Sequence, residues 1–195
     1  MAYTGLNEIN AKYDQILCDG YQAAVTAVEH LISLGHRHIG YIGETDNETR
    51  YQGYQDALES HHLPCSPSYV ASVPQTSSGG LKGALKLLEQ QPLLTAFFCS
   101  NDVTAIGAMR AIRDKGLRIP KDISVISIDD IDTAQYLSPM LTTIHVPIEE
   151  MGQMTAKILI DRITGGHTLP MKIFLPFYLC QRESCAPPRV PGAGD

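Results

Sequence analysis

Three short polar clusters stand where apolar runs of this sequence end. Thr49-Arg50 lies one loop beyond HIGYIG (38–43), Ser100-Asn101-Asp102 follows AFFC (96–99), and Asp129-Asp130 follows ISVISI (123–128). A guanidinium is a planar fork of donors, a carboxamide both donates and accepts, and an ionised carboxylate only accepts. A hydroxyl group donates and accepts, so Arg50, Asn101 and Asp129 together suit a small ligand with several hydroxyls, held by the strong hydrogen bonds that charged groups make. The same set suits a nucleobase almost as well. Plainer readings exist for each residue. Asn101 or Asp102 can cap a helix starting at Val103, Asp129-Asp130 can be turn residues, and Arg50 can be a solvated side chain at a helix start.

Other chemistry has weaker support. Two adjacent carboxylates could share a proton as acid and base, which would make Asp129 or Asp130 the base of a small-molecule enzyme. No serine, cysteine or histidine elbow accompanies them, and glycosidase carboxylates usually come from separate strands or loops. No catalytic residue is therefore expected. His36 and His38 flank Arg37, and His61-His62 close a helix; neither pair has metal-ligand spacing and no HExxH occurs, so no metal site is expected. SGGLKG (78–83) matches neither a P-loop nor GxGxxG, and no cofactor is expected. The five cysteines (18, 65, 99, 180, 185) include no CxxC, and the segment from Cys180 to Cys185 reads as a strand edge rather than a redox pair.

The polar clusters need elements that bring them to one place. The apolar spacing predicts helices over 23–34, 50–60, 81–90, 103–115 and 149–163, and strands over 38–42, 69–73, 94–99, 123–128, 142–146 and 173–179. Alternation of this kind implies an α/β fold, a parallel sheet with helices on both faces. Ligands of such sheets bind at the C-terminal ends of strands, which is where all three clusters stand. At 195 residues the chain holds one large domain or two small ones. A formal charge of −6 argues against a dedicated nucleic-acid surface. No apolar run is long enough to span a membrane, and MAYTGLNEINAKYD has neither the basic start nor the apolar stretch of a secretory signal; no membrane partner and a cytoplasmic location are expected.

Four stretches carry a more specific message: VEHLISLGHRHIGYIG (28–43), TRYQGYQDAL (49–58), SNDVTAIGAMRAIRDKGLRIPKDISVISIDD (100–130) and SPMLTTIHVPIEEMGQMTAKILIDRI (138–163). In order and spacing the chain resembles the effector-binding core of lactose-repressor and galactose-repressor type transcription regulators. That resemblance implies a periplasmic-binding-protein-like fold of two hinged subdomains around a small-molecule cleft. It implies effector contacts for Arg50, Asn101 and Asp129, a polar contact near Gln22, and a ligand-covering position at Gln75 or Thr76. Val146 stands where some sugar-responsive relatives carry a polar side chain. The implied partners are a sugar effector, a second copy of the chain, and operator DNA reached through a helix-turn-helix that has no counterpart here. A solute-binding protein of an uptake system shares the fold and is the alternative.

The resemblance also sets expected boundaries. Residues 1–35 and 147–166 would be a remnant of the N-terminal subdomain, 36–146 and 167–185 a nearly complete C-terminal subdomain, and 186–195 a disordered tail. The first strands of the N-terminal subdomain are expected to be missing, leaving apolar surface on helices 23–34 and 149–163 that would favour self-association.

Overall fold

The structure, a computed structural model, describes residues 1–189. Two sheets form. The larger has six strands in the order β4-β3-β5-β6-β7-β9: β3 (Ile39–Gly43), β4 (Val70–Ser72), β5 (Ala96–Cys99), β6 (Ser124–Asp129), β7 (Thr142–His145) and β9 (Tyr178–Cys180). All its pairings are parallel except β7 with β9. Helices cover both faces, as parallel strands require. On one side lie α1 (Gly20–Ser33) and α2 (Thr49–Ser60); on the other lie α3 (Ser77–Gln90) and α4 (Asp102–Asp114). Successive side chains of a strand point to opposite faces. Tyr41, Phe98 and Ile126 accordingly pack with α1 and α2, while their neighbours Ile42, Phe97 and Val125 pack with α3 and α4. A close approach joins α3 to α4, because a Cβ at Gly80 would strike the carbonyl of Thr104 and one at Gly107 the carbonyl of Ser77.

The smaller sheet has three parallel strands in the order β1-β2-β8: β1 (Ala2–Gly5), β2 (Asp14–Cys18) and β8 (Lys172–Leu175). It packs against α5 (Ile148–Ile163). Asp14, fully buried on β2, receives Nε and Nη2 of Arg162 from the end of α5 at 2.5 and 2.8 Å. Those bonds hold its carboxyl well below the usual carboxylate range, against the opposing effect of burial. Large exposed apolar side chains gather on this part of the molecule: Ile160 is 61% exposed, Ile163 75%, and Phe174 49%. Among the described residues no helix is long and apolar enough to cross a membrane.

Several elements depart from the sequence expectation. β1 and β2 were not expected: AYTG has no apolar run, and the apolar part of DQILC is only three residues long. The single strand expected over 173–179 is two strands in different sheets. Pro176, which has no N–H to give a ladder, separates β8 on the small sheet from β9 on the large one. The expected boundary at residue 35 does not match the packing. α1 lies on the six-stranded sheet beside α2, with Ala23, Ala27 and Leu31 fully buried, so it is not left uncovered. The expected assignment of all of 167–185 to the larger unit fails in the same way, since β8 pairs with β2. The expected disordered tail is anchored over its first residues: the Ala186 carbonyl meets His36 Nε2 at 2.9 Å, and Arg189 Nη1 meets Asp122 at 3.0 Å. Residues 190–195 of that tail lie outside the described residues.

Candidate ligand-binding site

The parallel strands β3, β5 and β6 are neighbours, so the loops after them leave the sheet at one edge. Each of the three polar clusters follows one of these strands. Arg50 opens α2, Asn101 caps α4, and Asp129 ends β6.

Arg50, Gln75 and Asn101 belong to one hydrogen-bonded network. The Oε1 atom of Gln75 accepts from Arg50 Nη2 at 3.1 Å and from Asn101 Nδ2 at 3.2 Å. Asn101 Oδ1 meanwhile accepts from the backbone N–H of Thr104 at 2.9 Å, so the residue caps its helix and faces the network at once. Arg50 is buried and forked onto Glu48, with Nε and Nη2 each 2.8 Å from a carboxylate oxygen, and its Nη1 donates to the Ser100 carbonyl at 2.9 Å. Burial raises the Glu48 carboxyl, but the bonds and charge of Arg50 outweigh that and leave it below its ordinary value. Glu48 was not singled out from sequence. It caps α2 through the N–H of Arg50, a position where glutamate is not among the favoured residues.

The two remaining acidic positions have separate roles. Asp102 is neither a cap nor a cleft residue. Its carboxylate is fully buried and accepts from Ser127 Oγ at 2.5 Å, Thr143 Oγ1 at 2.6 Å and the Ile131 N–H at 2.8 Å. Burial raises its carboxyl above the ordinary value, with those bonds opposing. Asp130 is occupied as well: Arg182 Nη2 lies at 2.6 Å, His145 Nδ1 at 3.0 Å and Cys180 Sγ at 3.3 Å.

Asp129 differs from its neighbours. No donor among the described residues is hydrogen-bonded to its carboxylate, although its backbone carbonyl accepts from the Val146 N–H at 3.3 Å. Burial, and next the charge of Asp102, push its carboxyl up to about 7, with the nearby Arg50 pulling the other way. Asp129 and Val146 stand where two recesses meet. One, of about 310 Å³, is walled by Thr4 and Gly5 of β1, by Leu6 just beyond it, and by Ile148 and Met151 of α5. The other, of about 480 Å³, is polar and reaches Asp132, His145, Glu149, Glu150 and Arg182. The first wall was invisible from sequence because β1 was. Gln22 is not drawn into the site. It is exposed in the first turn of α1, where its backbone N–H is capped by Asp19, and its side chain makes no hydrogen bond to the network among the described residues.

Comparison with known proteins fits this geometry. Residues 28–185 match the periplasmic binding protein-like domain. The chain is 40% identical over 159 residues to the HTH-type transcriptional repressor PurR of Haemophilus influenzae (strain PittEE), an alignment covering 80% of this chain and 47% of that protein. It is 37% identical over 177 residues to the repressor of the same name from Yersinia pestis bv. Antiqua (strain Antiqua), covering 89% and 52%. The chain thus spans about half the length of the curated relatives it matches. Among solved structures, it resembles the transcriptional regulator CelR in complex with cellobiose, with a TM-score of 0.88 at 31% identity over 94% of this chain and 58% of that one. A LacI family transcriptional regulator from Enterococcus faecium with bound ribose gives a TM-score of 0.86 at 30% identity, over 95% and 70%. The chain belongs to the periplasmic binding protein-like domain family, and within it to the effector-binding cores of lactose-repressor and galactose-repressor type regulators.

Proposed function

We propose that this chain senses a sugar for a transcription regulator, binding it where Asp129 faces the two recesses between the sheets. The observation that supports this reading is the Asp129 carboxylate itself. It is half-buried, has no hydrogen-bonded donor among the described residues, and borders open volume on two sides. A half-buried carboxylate without a donor is less well solvated than one in open water, and ligand hydroxyls would supply the missing bonds. Asn101, Arg50 and Gln75 line neither recess but form a hydrogen-bonded network at the same edge of the sheet, oriented by Glu48 and by each other, with Arg50 near enough for its charge to act on Asp129. The cellobiose and ribose bound in two similar regulators support a sugar as the ligand class in this reading.

The ligand acts by choosing between conformations. The recess around Asp129 takes Thr4, Gly5 and Leu6 from the small sheet's side and Asp129 from the large one, so a molecule filling it prefers arrangements in which the two stay together. In the intact regulator, a homodimer, that preference alters operator affinity through a helix-turn-helix outside residues 1–195. The relatives named as transcriptional repressors support sensing, rather than general-base chemistry, as the role of the raised Asp129 carboxyl. The relatives that are repressors favour this reading over an uptake receptor.

Titration calorimetry with ribose, cellobiose, other neutral sugars and free nucleobases tests it. At least one sugar should bind the wild type, and Asp129→Asn should weaken it by roughly 10- to 100-fold, the size of hydrogen bonds to a charged group. Binding of a nucleobase with no binding of any sugar would refute the sugar assignment.

A further inference from the structure

We infer that this cleft, on the sugar-sensing reading, discriminates by charge: it takes uncharged sugars and rejects their phosphorylated or carboxylated forms. The reason is how the cations of the site are already used. Arg50 spends its fork on Glu48 and its remaining nitrogen on the Ser100 carbonyl. Arg182 gives Nη2 to Asp130 at 2.6 Å and Nη1 to the Leu141 carbonyl at 2.9 Å. His145 turns its Nδ1 to Asp130 at 3.0 Å and stacks on Tyr178 with ring centroids 4.6 Å apart. Arg50, Arg182 and His145 therefore each already have a carboxylate partner.

Acids outnumber cations along the larger recess. Five carboxylates line the larger recess, those of Asp129, Asp130, Asp132, Glu149 and Glu150, against one guanidinium. Among the described residues no donor is hydrogen-bonded to the Asp129 carboxylate, and Glu149 and Glu150 are exposed at the mouth. A helix start normally welcomes an anion. Here the first turn of α5 supplies its own acids, Glu149 and Glu150, at the positions an incoming anion would use. An anionic ligand would meet like charge in a partly desolvated recess whose one lining guanidinium among the described residues, Arg182, is already paired, and repulsion of this kind is an effective source of specificity.

Calorimetry on the same chain with matched pairs tests the inference: ribose with ribose 5-phosphate, glucose with glucose 6-phosphate and with glucuronate. The charged member of the bound pair should be weaker by about tenfold or more at low salt. Raising NaCl should narrow the gap, since screening weakens repulsion but leaves a steric misfit unchanged. Replacing both Glu149→Gln and Glu150→Gln should also narrow it. Both residues are exposed, so the double variant is expected to fold. A phosphorylated sugar binding as tightly as its neutral parent, or a gap indifferent to salt and to the double substitution, overturns the inference. If no member of any pair binds, the sugar-sensing reading falls and takes the inference with it.

Discussion

Replacing Asp129 with asparagine should stabilise the protein at alkaline pH while weakening its ligand affinity. The carboxyl is raised from 3.8 to about 7 in the folded chain, first by burial and then by the charge of Asp102. A raised carboxyl means that the native state holds a proton which the unfolded state releases. The contribution is fully favourable below about pH 4, declines as pH rises, and is lost above about pH 7. A shift of roughly three units at ~1.36 kcal/mol each corresponds to ~4 kcal/mol. Solvent reaching the recess and relaxation around the charge reduce this to about 2 kcal/mol. Asparagine resembles the protonated acid at every pH and avoids the loss. Urea unfolding of wild type and Asp129→Asn from pH 4 to pH 8 should give stabilities that agree at the acid end and separate by about 2 kcal/mol at the alkaline end, with asparagine the more stable. His30 and His36, lowered by burial, add stability as pH rises, and Glu48, Asp14 and Asp122, lowered mainly through their arginine partners, lose it toward acid. These groups are common to both proteins and cancel in the difference. A difference that does not change with pH, or an asparagine variant less stable at pH 8, would refute the account of Asp129 as an uncompensated carboxylate.

Packing predictions can be checked by the same unfolding measurements. Phe98 is fully buried and its ring lies 5.7 Å from that of Tyr41 and 6.3 Å from that of Tyr54; Phe98→Ala should cost about 3–5 kcal/mol, and a cost below 1 kcal/mol would contradict the core described. Gly107→Ala would push a methyl into the Ser77 carbonyl of α3 and should cost about 1–3 kcal/mol by forcing two helices apart. Gly152 on α5 has nothing within 4 Å of where its Cβ would stand, so Gly152→Ala should instead stabilise by about 0.5–1 kcal/mol through helix propensity.

The alternation of helices and strands from residue 20 to residue 163 was readable locally, because its helices run 12 to 16 residues and apolar residues recur at helical or strand spacing. That the clusters at Arg50, Asn101 and Asp129 share an edge followed too, since parallel strands all end on one side. Partnership was not readable. Whether a carboxylate is paired depends on which side chains other elements bring within about 3 Å. Asp102 is tied to β6 and β7, Asp130 to Arg182 some fifty residues on, and Arg50 to Glu48, while Asp129 alone of these acids is left without a donor among the described residues. The same limit hid the small sheet. Strands as short and polar as β1 and β2 form because β8, more than 150 residues away, supplies the next ladder, and no local pattern records such a neighbour. Residue types thus set the chemistry available at the edge of the sheet, but long-range packing decided which carboxylate remained open to a ligand.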